Sequence, residues 1–291
     1  MEPMIGRGRD AIEMIVDQGS FRENKIGTVC VCPDFGPGAV VGTAALDRQP
    51  LTILAIDAQA VNPRFPVVYF GIIGMEEAYK MALAVYDTIE LDREKPISQK
   101  RPLLLIVDTP GNGPGKVEEI FGMNKATGAY QLALAEARKC GHAVIAMVIG
   151  RAISGAFLCH GLQADHILAL PKEYGTMVHV MPQTSISRIT KIDIESLEEL
   201  SHQSPVFAPG VEFFYRLGGV EEIIPAPENM RACIMQHIAQ IKQLKCRNLF
   251  HETGPWSRGE LGAVRGGRTM RKAVLARMER EFSKISENYL L

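Results

Sequence analysis

Two glycine-rich turns hold the residues whose types and spacing could do chemistry. The first is Ser154-Gly155-Ala156, which follows the apolar, β-branched run Val144–Ile149 and Gly150. Small residues opening a buried helix leave backbone N–H groups without helical acceptors and let a ligand approach them closely. Donors fixed in this way suit a developing oxyanion. The same residues also serve a plain strand-to-helix turn. Ser154 is a nucleophile by type, but Ala152 stands where the Gly-x-Ser-x-Gly elbow requires glycine.

The second turn, Thr109-Pro110-Gly111-Asn112-Gly113-Pro114-Gly115, follows Asp108. It lacks the Gly-Lys-Ser/Thr ending of a P-loop and the spacing of a dinucleotide fingerprint. Gly111 and Gly113 permit close backbone approach to a ligand, and Asp108 is a natural hydrogen-bond partner for the turn. His179 lies in an apolar strand pattern, Met177–Met181, and His160 follows the second turn. Each is either a satisfied core histidine or a catalyst. Arg265-Gly266-Gly267-Arg268, with Arg271 and Lys272 beyond it, fits a solvated loop or a phosphate contact.

The elements that must position these residues read as α/β. A short amphipathic helix over 9–18 precedes strand-like runs between Gly27 and Ala58 (GTVCVC, AVVGTAAL, LTILAID). Residues 75–91 have helical spacing, and Leu103–Val107 reads as a buried strand. A long helix over 118–139 leads to the Val144 strand, so two successive βα units feed one edge. Strands over 166–170 and 176–181 follow, then helices near 193–202, 207–217 and 228–245. Residues 250–268 look irregular, and 270–287 form a charged amphipathic helix. No repeat or linker divides the chain, which reads as one domain, 1–291, with its core over about 26–225 and a helical extension over about 226–291.

Composition excludes several classes. The 291 residues carry a net charge of −1 and are 46% hydrophobic, which points away from nucleic-acid and membrane-surface binding and towards a sizeable core. No apolar run has membrane-span length, and the N-terminus lacks a signal-peptide pattern. The six cysteines contain no Cys-x-x-Cys pair, so no metal site and reduced, mostly buried thiols in the cytoplasm are expected.

VDTPGNGPG (107–115) and GHAVIAMVIGRAISGAFLCHG (141–161) together resemble the carboxyltransferase half-domains of the crotonase superfamily. Within that group the run ISGAFLCHGLQADHILAL (153–170), TMVHVM (176–181), SISRIT (185–190) and the glycine-arginine stretch at 266–269 resemble the malonate decarboxylase gamma subunit family. The resemblance implies a crotonase/ClpP-like ββα superhelix with helical additions at the C-terminus. It implies a related beta subunit and an acyl-carrier subunit as partners, with the active site between the two carboxyltransferase subunits. The implied reaction is decarboxylation of a malonyl thioester to the acetyl thioester. The implied cofactor is a phosphoribosyl-dephospho-CoA arm on the carrier, not a group held by this chain.

By position Gly155 and Ala156 match the family's oxyanion amides, with Ser154 and His179 as further catalytic candidates. Gly111, Gly113, Phe157, Arg265 and Arg268 are the expected substrate contacts. Leu158 stands where related acyl-CoA carboxylases place an acid. Alternatives are a biotin-dependent carboxyltransferase, with biotin on a carrier, a Clp-like serine peptidase acting through Ser154, and a scaffold subunit that only completes its partner's site.

Overall fold

The structure, a computed structural model, describes residues 2–113, 115–181, 183–203 and 210–289. Helix α1 (Gly8–Ile15) buries Ala11, Ile12 and Ile15, as its apolar spacing dictates. β1 (Arg22–Glu23) joins the main sheet, whereas β2 (Lys25–Ile26) and β3 (Val29–Cys30) pair in a ribbon of their own. The strand-like run over 27–32 lies at the surface, where Val29 is exposed, and the thiols are not mostly buried: Cys30, Cys32, Cys140 and Cys246 are exposed. Only two residues of that run pair, because Gly27 turns the chain at positive φ. β4 (Ala39–Leu46) and β5 (Gln49–Ile56) form an antiparallel hairpin through Asp47 and Arg48. Both turn residues have positive φ, which matches the twist of the flanking strands.

From β5 the sheet continues in parallel through β6 (Leu103–Thr109), β7 (Val144–Ile153) and β8 (His166–Ala169). β9 (Met177–His179) pairs with the last residues of β7, and β10 (Glu222–Ile223) closes the edge beside β8. α2 (Met75–Leu91), α3 (Lys116–Phe121) and α4 (Met123–Lys139) precede β7, and α5 (Ser154–Cys159) follows it. α6 (Gln183–Thr190), α7 (Ile194–Gln203) and α8 (Val211–Arg216) lie between β9 and β10. α9 (Met230–Cys246), α10 (Gly254–Val264) and α11 (Arg271–Ser283) come last.

Alternation along β6 explains the layering. Leu103, Leu105 and Val107 join one core cluster with Met81 and Val85 of α2 and Tyr130 and Leu134 of α4. Leu104 and Ile106 join another with Ile12 of α1 and Ile234 and Ile241 of α9. A parallel strand covered on both faces has this pattern, and α9 is therefore core rather than an appendage.

Four further expectations are corrected. The helix over 118–139 is broken at Gly122, whose φ of 100° belongs to the left-handed region. β7 runs past Gly150 to Ile153, because β9 supplies a partner for Arg151–Ile153. Helix begins earlier than the expected 193–202, because residues 183–190 form α6. Within 250–268 α10 is a regular helix, and its glycines are packing points: a Cβ on Gly262 would strike the Leu217 carbonyl. The helix expected over 207–217 lies partly outside the described residues; α8 is its described portion.

Candidate active site

Both glycine-rich turns lie at the carboxyl ends of adjacent parallel strands, where ligands of open α/β sheets bind. β6 and β7 are in register at Val107 and Val148, and the register has shifted by Thr109 and Ala152. Asp108 holds this irregularity together. Its Oδ1 accepts from the Arg151 backbone N–H at 2.9 Å and from Arg151 Nε at 2.8 Å, while Oδ2 accepts from Arg151 Nη2 at 3.1 Å. The Gly6 N–H adds a bond to Oδ2 at 2.6 Å. Asp108 and Arg151 are both buried, so removal of either would strand a charge. Asp108 thus anchors β7 and the N-terminal segment.

β7 ends in a strained turn. Ser154 has φ +57°, a left-handed conformation that a side chain disfavours, and it is exposed. The turn sends the next residues into α5, so the Gly155 and Ala156 N–H groups fall in its first turn, with no carbonyl four residues back in the helix. Ala156 is fully buried and Phe157 nearly so. Phe157 packs on Phe214, with ring centroids 5.9 Å apart, and Gly161 abuts its ring. Phe157, expected to touch substrate, lies on the inward face of α5, as a floor beneath the turn. Leu158, on the outward face, is exposed.

The first loop is tied to residue 73. The Ile73 N–H donates to the Gly111 carbonyl at 3.0 Å, and the Gly113 N–H donates to the Ile73 carbonyl at 2.9 Å. Gly111 has φ 149° and open space where a Cβ would stand, which suits close approach. Gly113 faces inward, with Met123 Cε 3.3 Å from its Cβ position. Between them, Asn112 reaches across to the second turn, and a Cβ on Gly155 would overlap its Oδ1. Asn112 carries no signal of this in the sequence, because a loop residue between glycines has no period that shows where it points.

His179 stands opposite Ile153 in the β7–β9 register, one residue before Ser154. It is half-buried, and its Nδ1 has no hydrogen-bond partner among the described residues. Burial lowers its pKa, against an opposing backbone hydrogen bond involving Met181. A cavity of about 400 Å³ beside it is lined by Lys172, Thr176, Met177, His179, Gln183 and Phe213, among others. His160 is a core residue. Its Nε2 lies 2.9 Å from the Ile106 carbonyl and its Nδ1 2.9 Å from Tyr130 Oη. The neutral ring donates from Nε2 and accepts at Nδ1, and burial pushes its pKa down to about 4.

The basic stretch lies against α8 and the turn after it. Arg265 donates to the Tyr215, Val220 and Glu221 carbonyls at 2.8, 2.6 and 2.8 Å and stacks on the Tyr215 ring at 3.6 Å. Those bonds make Arg265, expected to contact phosphate, a clamp on the chain leading into β10. Arg268 donates from Nε to the Leu217 carbonyl at 2.7 Å and is exposed.

The parallel-rich sheet covered by helices on both faces is a mixed α/β fold, the one found in carboxyltransferases of the crotonase type. Transcarboxylase 12S, solved with methylmalonyl-coenzyme A and methylmalonic acid, shares it: TM-score 0.64 at 22% identity, over 83% of this chain and 43% of that one. At that identity the likeness shows the fold alone. The chain belongs to the malonate decarboxylase gamma subunit family, whose model matches residues 70–281. It is 63% identical, over the full length of both chains, to the malonyl-S-ACP:biotin-protein carboxyltransferase MADD of Malonomonas rubra. It also matches a chain of a Pseudomonas malonate decarboxylase hetero-tetramer solved with coenzyme A, with TM-score 0.76 and 31% identity over 95% of this chain and 99% of that one.

Proposed function

We propose that this chain is the malonate decarboxylase subunit that holds the enolate oxygen while a malonyl thioester loses its carboxyl group. The amide pair at Gly155 and Ala156, behind the left-handed Ser154, carries this reading. When the bond between the methylene and carboxyl carbons breaks, its electron pair passes into the thioester as an enolate. Preorganised amides stabilise that oxygen without any proton transfer of their own. The carbon then takes a proton, giving the acetyl thioester. His179, one residue from the turn in register, is the proposed source of that proton or the group that orients the carboxylate.

The malonyl group arrives on an acyl-carrier subunit through a phosphoribosyl-dephospho-CoA arm, and a related beta subunit closes the site from the other side. The Pseudomonas hetero-tetramer supports such an assembly. The carboxyl group leaves either as free CO2, the outcome expected from the sequence, or on a biotin carrier. The full-length likeness to a biotin-protein carboxyltransferase favours the second route. Biotin supplies the ring nitrogen that accepts the carboxyl group. Among the described residues no helix is long and apolar enough to cross a membrane, and we place the complex in the cytoplasm.

Mass spectrometry of the malonyl carrier, incubated with the purified complex with and without avidin, tests this function. Acetyl thioester formation that avidin abolishes, and that added biotin carrier restores, is the expected result. Formation indifferent to avidin returns the direct route. A complete complex that leaves the malonyl carrier unchanged overturns both.

A further inference from the structure

A cavity of about 320 Å³ opens at the amino ends of the parallel strands, where Asp165 bonds the first residue of β7. Its wall comes from Ala135, Arg138 and Lys139 of α4, from Asp165, and from Phe250 and Thr253 ahead of α10. β7 is 10 residues long, so about 30 Å separates this cavity from the Ser154 turn.

Asp165 is fully engaged. Its Oδ2 accepts from Lys245 Nζ at 2.6 Å and from the Val144 N–H at 2.9 Å, and its Oδ1 accepts from Thr253 Oγ1 at 2.9 Å. Lys245 also donates to the His142 and Arg138 carbonyls, at 2.6 and 3.3 Å. Both side chains are buried, and their charges cancel as a pair.

Arg138 has no such partner. Its Nε is buried without a hydrogen bond among the described residues, and burial lowers its pKa against the attraction of Asp165. Its Nη1 packs on Gly254, the first residue of α10, where a β-carbon would overlap it. A cation partly out of water and against the positive end of a helix is unfavourable until an anion joins it. The carboxyl end of α4 accounts for Arg138 and Lys139 as cations of its last turn. It does not account for a buried Nε that lacks an acceptor.

We propose that this cavity is a second ligand site, which takes a phosphate group on Arg138 and Lys139. The double charge of a phosphate balances two cations and a helix amino end, and its oxygens accept from a guanidinium in pairs. Ala135 and Phe250 supply an apolar wall for the organic part of a phosphate ester.

Calorimetric titration of the intact complex with inorganic phosphate, at constant ionic strength, reads this site without turnover and so independently of the function proposed above. Wild type should give a saturable heat. Arg138→Gln should weaken that binding roughly ten- to a hundred-fold, because hydrogen bonds to a charged group are lost. Lys139→Ala, at an exposed position, should weaken it less and keep the wild-type melting temperature. Absence of saturable heat in wild type overturns the site. Affinity unchanged in both variants also overturns it, by placing the phosphate elsewhere. Should Arg138→Gln fail to fold, Lys139→Ala decides alone, and wild-type affinity in that variant overturns the proposal.

Discussion

The Asn112 carboxamide occupies the space that any β-carbon on Gly155 would need. Through that contact the first glycine-rich loop dictates what the second can carry. Gly155→Ala should force the turn or the loop aside and misplace the amide pair. A loss of about 10²–10³ in kcat is expected, with the complex still eluting as one species. Near-normal turnover of an assembled Gly155→Ala complex would remove the oxyanion assignment.

Ser154 tests the same turn from the opposite direction. A side chain in the left-handed region costs about 1–2 kcal/mol, and glycine's greater freedom when unfolded takes back roughly 0.5–1 of that. Ser154→Gly should therefore leave the protein as stable or up to about 1.5 kcal/mol more stable in urea unfolding. A raised KM for the malonyl thioester is expected if the hydroxyl contacts the substrate. Destabilisation would show that the hydroxyl holds the turn together.

Much of this site was legible in the sequence because it depends on short-range chemistry. Glycine and proline after Asp108, and small residues after Gly150, mark turns wherever they occur. The apolar runs at 103–107 and 144–149 needed cover on both faces. What stayed hidden depends on distant chain segments. The Asn112–Gly155 contact requires two loops to meet across the sheet edge. The extension of β7 to Ile153 requires β9, and the clamp at Arg265 requires three carbonyls 44 to 50 residues earlier. Helix α10 was obscured by its own glycines, which read as breakers until Leu217 is seen packed against one of them.

Acid should destabilise the fold through its buried histidines. Burial pushes His160 and His142 from an ordinary 6.5 to about 4, and His166 to about 3. The unfolded chain then takes up protons that the folded chain refuses. The stability held by the neutral rings is thus complete above about pH 6.5 and is lost as pH falls towards 4. Protonating His160 would also end its acceptance from Tyr130 Oη. Melting temperature should fall steadily across that range; a level profile would contradict the neutral, buried assignment.

The two arginines of the glycine-arginine stretch should separate. Arg265→Ala removes three bonds to backbone carbonyls and a stacked ring, so a lower melting temperature with an unchanged carrier KM is expected. Arg268 is exposed, and we retain it as the contact to the carrier's phosphates. Arg268→Ala should raise the carrier KM, and added salt should raise it in the wild type too, because exposed charges are screened. Equal behaviour of the two variants in both measurements would contradict this division.

Mass analysis of the malonyl carrier after a single turnover, with this chain present in the complex or left out, tests the central claim most directly. With the chain present, and with the beta subunit and both carriers supplied, the malonyl arm should lose the mass of CO2 and become acetyl. Without the chain it should remain malonyl. Acetyl formation at the same rate in its absence would contradict the claim that Gly155 and Ala156 hold the enolate.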